Sequence, residues 1–516
     1  RAYWMPEIVY QTLHLFTFKS IETTAGTPWQ LEAARWLAPT AAIYTASKGL
    51  VSVFYDQAQV LRAGLMRRHI IICGLSDKGR LIARSFLERG DRVVIIEKEA
   101  SRGKLAGSRA EGAVVIAGEA DDPEVLRMAG VRHARYLIAT CDDATNAEIV
   151  VQARALRRDT DGRLDCLVHV QDPGLLDSLG SLAGALEDSD RFGVRFFNLL
   201  EMGARTLLTE CPPFGLLADG AVAIAVGMNA TDAFGARVLR ELAMRWAIRV
   251  GPGGPALSLV TLDDATASAL SVVLGSDPAL DRLVAVQALG SLASSEAISV
   301  AYVLDADPND ATESALALRA SLPASTRLVV RYPRAAGLSR LLGDSDANTC
   351  GLVEAFPIYE RTCSNPDLLL GAQVDEVARG LHEFYCSNVN TTALGWDQLS
   401  ETYREASRQQ AEWIFRILVD SGFDVVPSAP RGSAILEFTD DEVEQLSQIE
   451  HARWCAERAL DGWTYSETRD NALKHHPSLV PWKVLAEPIR DYDRKFVRYW
   501  PGLLSKPSIG FEVTRG

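Results

Sequence analysis

The sequence carries no surplus of basic charge: 53 Lys and Arg stand against 67 Asp and Glu, for a formal net charge of −14. A protein that binds nucleic acid needs cations to displace the counterions of the phosphates, so nucleic acid is not an expected partner; a local basic patch is the one exception. Eight cysteines are present, but no two make a CxxC pair and several sit inside apolar runs. Zinc ribbons and a disulfide framework are thereby disfavoured, and the thiols read as reduced, structural and cytoplasmic. No GxSxG elbow occurs and no cysteine has a convincing histidine partner in sequence context, so nothing supports nucleophilic catalysis. Of the eight histidines only His475 and His476 adjoin. Adjacent imidazoles rarely reach one ion, and no Cys or carboxylate lies at ligand spacing, so no metal is expected. Long hydrophobic runs are also scarce. Residues 8–18 are too few to span a bilayer, and Trp36 to Tyr55, with Lys48 its one charge and Pro39 near its start, is of marginal length. Arg62, Arg67 and Arg68 follow, which by the positive-inside bias puts the remainder in the cytoplasm. The chain opens on Arg1 with no secretory signal, as expected of part of a longer protein with room for further spans upstream.

What is present is a globular composition, 47% hydrophobic and 23% charged over 516 residues, enough for about three domains. The organising stretch begins at Ile70. Ile70 to Cys73 is a short apolar run of the kind buried on both faces of a parallel sheet. Gly74-Leu75-Ser76-Asp77-Lys78-Gly79 follows as a turn, then apolar positions at helical spacing through Leu87, then a second buried strand ending at Glu97. An acid roughly 20 residues past the first glycine is where a dinucleotide-binding βαβ unit holds the ribose hydroxyls. Gly74 permits the tight turn, Gly79 lets helix and strand approach, and the helix N-terminus offers N–H groups to a pyrophosphate. Ser76 stands where the fingerprint has its middle glycine.

From Arg67 strands and helices alternate to about Phe197, the pattern of a doubly wound parallel sheet. Within it lie GLSDKG, Glu97, Gly118-Glu119-Ala120 and Cys141-Asp142-Asp143 with Asn146. In that order these resemble the TrkA-N or RCK family, cytoplasmic nucleotide-binding domains that regulate potassium channels and transporters. The resemblance implies an NAD(H) or other adenine nucleotide site in which residues 74 to 79 hold the phosphates and Glu97 with Lys98 the ribose side. Gly118, Glu119, Ala120, Asp121, Thr140 and Cys141 would line its far side. The chain departs from the family pattern at Ser76 and Glu119.

The pattern then recurs. Residues 221–227 and Phe234 to Leu242 read as another strand, turn and helix, and Leu257 to Leu262 as a strand with acids at its end. YVLDADPNDATE echoes YLIATCDDATNA, and VEAFPIYE echoes VRFFNLLE. Self-similarity on this scale implies a duplicated Rossmann-like unit. In the second copy GMNATDAFG spaces its glycines too widely for the fingerprint, so that unit is expected to lack a standard dinucleotide site.

Beyond Gly371 the chain turns helical, aromatic and charged, with amphipathic stretches at Val374–Tyr385 and Trp396–Leu418 and a capped helix from Thr439. His451, Trp454, Gly462-Trp463-Thr464-Tyr465, Arg469-Asp470, His476-Pro477, Trp482 and Asp491 to Arg494 together resemble the RyR domain, the repeat of ryanodine receptors and prokaryotic proteins. Trp454, Trp463, Tyr465 and Trp482 would make a stacking box for a flat ring, with Arg458 and Arg469 reaching phosphates and Asp470 and His476 beside them. Core packing competes with that role at Trp454 and Trp482.

The expectation is an α/β chain with two doubly wound parallel-sheet Rossmann-like domains (67–213 and 214–372) and a mainly α-helical RyR-type domain (373–516). An N-terminal helical segment (1–66), open to membrane association, precedes them. Function is expected to be ligand sensing at the inner face of the cell membrane, coupled to a cation channel or transporter, in a homo-oligomer of at least two copies and without catalysis. The alternative is a soluble nucleotide-messenger receptor in which the RyR module binds the signal and the Rossmann pair dimerises. An NAD-dependent oxidoreductase would need a substrate domain where this chain instead repeats itself.

Overall fold

The computed structural model describes residues 29–98, 107–157, 162–172, 175, 179, 191–216, 223–227, 233–261, 263–291, 298–335, 337, 339–340, 353–388, 394–399, 401–428 and 435–516. The apolar run at 8–18, most of the helix expected at 101–111, most of that after Pro173 and the turn at 228–232 lie outside them.

A long helix, α1 (Trp29–Leu65), comes first and contains the whole of the marginal apolar stretch. Its last turn is anchored, since Ala63 and the following Met66 are buried against the first sheet. Upstream, Trp29, Trp36, Leu37, Ile43 and Tyr44 are exposed. Thr40 and Thr45 donate their hydroxyls to the carbonyls of Trp36 and Ala41 at 2.6 and 2.7 Å, so these polar groups are satisfied within the helix. No helix among the described residues is long and apolar enough to cross a membrane.

The first sheet domain runs β1 (Ile70–Cys73), α2 (Asp77–Glu88), β2 (Val93–Glu97), β3 (Val114–Ala117), α3 (Pro123–Met128), β4 (Tyr136–Ala139), α4 (Asp143–Arg157), β5 (Leu164–His169), β6 (Phe192–Phe197) and α5 (Leu199–Glu210). The strands are all parallel in the order β3-β2-β1-β4-β5-β6. Every residue of β1 is buried, as befits a strand with helices on both faces. The order reverses between β1 and β4, and the crevice outside the carboxyl ends of those strands is where such sheets take their ligands.

The second domain runs β7 (Ala223–Gly227), α6 (Ala233–Val250), β8 (Leu257–Thr261), α7 (Asp264–Gly275), α8 (Pro278–Leu283), β9 (Val284–Ala288), β10 (Ile298–Val303), α9 (Pro308–Ser321), β11 (Arg327–Tyr332), β12 (Val353–Pro357), α10 (Ile358–Cys363) and α11 (Pro366–Leu370). Its parallel order, β12-β11-β10-β7-β8-β9, is that of the first sheet when counted from β7. The self-similarity of the sequence is therefore self-similarity of topology.

Each domain closes on the other. The helix after the sixth strand of the first, α5, packs against α6 of the second, and α10, in the same place in the second, packs against α2 of the first. Leu207 and Leu208 share a core with Phe234 and Val238, while Cys363, Leu369 and Leu370 share one with Ile72, Ile82 and Phe86. Polar contacts fix the exchange: Ser85 Oγ donates to the Cys363 carbonyl at 3.2 Å, and Arg195 donates to the carbonyls of Leu369 and Leu370.

The third module comprises α12 (Ala372–Asn388), α13 (Glu401–Asp420), β13 (Phe423–Pro427), α14 (Asp440–Leu460), β14 (Thr464–Tyr465), β15 (His475–His476), α15 (Glu487–Leu504) and β16 (Phe511–Arg515). Thr439 and Glu442 form a capping box at the start of α14. The antiparallel pair β13–β16 ties the end of the chain to the end of α13. This module leans on the second domain through α14 against α6, within one continuous apolar core.

Candidate functional site

The loop between β1 and α2 has the backbone that its glycines predict. Gly74 takes φ +97, where a side chain would be strained, and a Cβ there would also stand 3.2 Å from Cys141 Sγ. At Gly79 a Cβ would fall 2.0 Å from the Gly74 carbonyl oxygen, so the first turn of α2 can lie against the loop only without a side chain. Ser76 caps this helix from extended backbone, its Oγ accepting the Gly79 N–H at 3.4 Å. That bond is long, so an incoming anion could take the N–H at little cost. Among the described residues the amides of Asp77 and Lys78 have no acceptor, which leaves the positive end of a twelve-residue helix aimed at solvent.

Glu97 folds back from the end of β2 and accepts the Leu75 N–H, fixing the carboxylate beside the loop. Thr140 is buried and donates its hydroxyl to the Cys73 carbonyl at 2.9 Å, pinning the ends of β4 and β1 together across the switch point. Cys141 exchanges bonds with Asn146, whose side chain also donates to the His169 carbonyl at 2.9 Å. Gly118 is required because a Cβ would lie 2.7 Å from Val125 Cγ2; Ala120 is buried behind it and Asp121 is half-buried. Lys98 and Glu119 pair with each other at 2.7 Å, well exposed, on the rim. Residues 74 to 79, Glu97, Gly118, Ala120, Asp121, Thr140 and Cys141 thus converge on one crevice, with Lys98 and Glu119 at its edge.

The crevice is electrostatically mixed. Burial lowers the Lys78 ammonium, against the attraction of Cys363, Asp143 and Cys141. Burial and then the nearby carboxylates of Glu97, Asp142 and Asp121 push the Cys141 thiol up to about 11, so it stays protonated. His169, at the end of β5, is lowered to about 3 by burial and by Lys78 and is neutral. Two neighbours come from the other domain: Cys363, whose thiol burial raises to about 12, and Arg334, whose Nη1 lies 2.6 Å from Asp77 Oδ2. No local pattern marks His169, Cys363 or Arg334 as site residues; only the helix exchange brings the last two there.

An adenine dinucleotide suits this donor set. The tight turn that Gly74 and Gly79 permit, two helix amides without acceptors among the described residues and a carboxylate at the end of β2 are what a pyrophosphate with its ribose requires, with the Ser76 side chain exposed at the middle of the loop. Such a nucleotide would supply ligand charge and ring surface here.

In the third module the expected box divides in two. Trp454, Trp463 and His476 form one cluster, with Trp454 edge-on to His476 at 4.9 Å and Trp463 at 6.2 Å. The Arg458 guanidinium lies over Trp454 at 5.9 Å and over Trp463 at 5.3 Å, so the space for a flat ring is held by the protein's own cation. Arg469, whose Nε donates to Asn471 at 3.0 Å, and Arg458 lower the His476 imidazole after burial does. Trp482 belongs elsewhere: it is buried, donates Nε1 to Glu444 at 2.7 Å and lies under Arg494 at 5.8 Å. Burial places it in the packing of the module, with Arg494 over its ring and His451 tilted against it at 5.7 Å, His451 in turn stacking on Trp454 at 6.1 Å. Asp470 accepts the amides of Ala472 and Leu473 and so shapes a turn, and Tyr465 is exposed on β14. His475 and His476 run along β15, and no group of three or more ligand-type side chains forms a metal site among the described residues.

Comparison with known proteins matches residues 70–187 to the TrkA-N domain model and residues 434–504 to the RyR domain model. An uncharacterized protein of Methanothermus fervidus is 33% identical over 92 residues, which cover 18% of this chain and only 14% of that relative. Among solved structures, GsuK bound to ADP is 18% identical with a TM-score of 0.36, covering 72% of this chain and 90% of its own. The GsuK channel bound to NAD is 15% identical at 0.35, covering 86% and 84%. The TrkA-N domain of the inner membrane protein ybaL from Escherichia coli is 22% identical at 0.23, covering 28% and 98%. The chain carries a TrkA-N domain at its first sheet and a RyR domain at its C-terminal helices.

Proposed function

We propose that this chain is the nucleotide-sensing regulatory part of a potassium or other cation channel or transporter, working at the cytoplasmic face of the membrane. The observation that carries the reading is the crevice at the β1–α2 loop: a glycine pair that nothing larger can replace, helix amides with no acceptor among the described residues, and Glu97 folded onto the loop. The TrkA-N match lies on those same residues. The ligand is NAD(H) or another adenine nucleotide, and its output is a change in how the two exchanged domains sit together. A ligand biases such an equilibrium only by its differential affinity for the two arrangements, and α10 lying against α2 gives it one to act on. The assembly is a homo-oligomer of at least two copies, coupled to the membrane part through α1, whose exposed aromatic and aliphatic residues suit that contact. The reading assigns no catalytic step; hydride transfer from a bound cofactor to an offered substrate would overturn that part of it.

Thermal unfolding with NAD, NADH, ATP and ADP tests the site. At 100 times Kd a ligand stabilises the folded chain by about 2.7 kcal/mol. The gain is expected in the wild type and absent in Glu97→Ala and Gly79→Ala. No shift with any of the four would remove the sensor reading. The Trp454–Trp463–His476 cluster favours a second reading, a soluble messenger receptor that binds at the RyR domain. It requires Trp463→Ala to abolish binding while Glu97→Ala does not, and the protein to fractionate with cytosol.

A further inference from the structure

We propose that Arg334, carried by the second domain, is a ligand-contacting residue of the first domain's phosphate pocket, so that the site is complete only when the two domains are packed together. The inference rests on the nucleotide reading above. Arg334 Nη1 lies 2.6 Å from the carboxylate of Asp77, the first residue of α2, whose amide, like that of Lys78, has no acceptor among the described residues. The loop that bears it is fixed to the start of α10: the Pro333 carbonyl accepts the Tyr359 N–H at 3.1 Å, and the Ala335 N–H donates to Glu360 at 2.9 Å. Because α10 is lodged against α2, the backbone of this loop is held at the mouth of the pocket. The Arg334 side chain is still 58% exposed, so its head can turn without disturbing that packing.

Charge makes the residue necessary. Around the loop Asp77, Glu97, Asp121 and Asp142 bring negative charge, and Lys78 with the N-terminal end of α2 brings positive charge. A multiply charged anion would be repelled there unless a further cation were supplied. A guanidinium answers this, since its planar fork matches two phosphate oxygens. On binding, the fork passes from the Asp77 carboxylate to the phosphates, replacing an interdomain ion pair by a ligand that touches both domains. The ligand class is thereby narrowed to adenine nucleotides with a pyrophosphate, as against the nucleoside.

Titration calorimetry on the full chain with ADP and with adenosine tests this. R334Q is expected to weaken ADP about tenfold, the scale of a lost charged hydrogen bond, and to leave adenosine unchanged. D77N, which frees the arginine and removes a repulsive charge, is expected to tighten ADP severalfold. If the wild type binds neither ADP nor NAD, the nucleotide reading itself falls. If the wild type binds ADP and R334Q binds it equally well, or if D77N weakens it, only the role of Arg334 falls. Should R334Q not fold, R334K keeps the charge without the fork and is expected to lose ADP affinity severalfold; equal affinity overturns the proposal.

Discussion

The carboxyl of Asp493 lies inside the RyR domain, its Oδ2 3.7 Å from His451 Nδ1. Burial first, then repulsion from Glu450, raises it to about 7, with Arg453 opposing. Burial lowers the His451 imidazole, against the Val480 carbonyl and Glu450. The folded pKa of Asp493 exceeds the unfolded value of about 4, so folding takes up a proton over that interval. The stability it contributes is full below about pH 4 and is lost as pH rises through 7. His451 has the opposite sign, costing stability as pH falls below about 6.5. Asp493→Asn should therefore be more stable than the wild type at pH 8 by a few kcal/mol, at about 1.4 kcal/mol per pH decade, and comparable near pH 4. Urea unfolding at both values measures this, and parallel pH profiles for the two proteins would refute it. Beside it Arg453 pairs with buried Glu450 at 2.8 Å and with partly exposed Glu457 at 2.6 Å, while His451 stacks on Trp454 at 6.1 Å.

Helices α5, α6 and α10 meet at Gly203, where a Cβ would stand 2.9 Å from Ile358 and 3.2 Å from Phe234. Gly203→Leu should wedge the exchange apart and destabilise the chain by about 1–3 kcal/mol, the usual cost of overpacking. Calorimetry should then resolve the two sheet domains as separate transitions, and an unchanged single transition would mean that they are not coupled through these helices. The helices and strands themselves were legible in the sequence, because buried strands such as Ile70–Cys73 are short apolar runs and α14 announces itself with Thr439 and Glu442. The duplication was legible from two echoes, YVLDADPNDATE of YLIATCDDATNA and VEAFPIYE of VRFFNLLE, although strands such as Ile70–Cys73 and Ala223–Gly227 share little. The exchange was not, since nothing in the residues of α10 states which domain they will cover. The pair β13–β16 was also hidden: its outer residues are exposed and do not alternate cleanly, so Phe423–Pro427 looks like a loop until Phe511–Arg515 returns to it. Trp482 and Trp463 are the same residue type in one motif, each donating its indole N–H to a carboxylate, and only the burial of Trp482 separates core from surface cluster.

All three modules meet at Arg205 on α5. Its guanidinium bonds Glu201 on its own helix at 2.7 Å, approaches Glu241 on α6 at 3.5 Å and bonds Glu412 on α13 at 3.0 Å, while Arg416 on α13 reaches Glu241 at 3.4 Å. Arg205 is only 17% exposed, and so are the acids in large part, so this is a desolvated network whose charges depend on one another. Glu201 shows it: burial would raise its carboxyl, yet Arg205 with Arg237 and Arg240 holds it below the ordinary range. Arg205→Met keeps most of the volume but removes the one cation that bridges Glu201, Glu241 and Glu412, leaving Arg416 on Glu241 and the more distant Arg237 and Arg240 near Glu201. Breaking a buried pair from one side costs about 3–5 kcal/mol, and here the cost falls on the junction rather than within any one module. The variant should keep its sheet domains folded while the RyR domain loosens from α6, giving faster amide exchange along the α14 face and an earlier proteolytic cut between domains. If signals pass from the nucleotide crevice to the RyR domain by way of this junction, rather than through Arg195 and Asp375 or the α6–α14 packing, the same variant should bind nucleotide normally at the first sheet yet lose any effect of that binding on exchange rates in α14. A variant in which nucleotide still alters exchange in α14 would show that the coupling runs by another path.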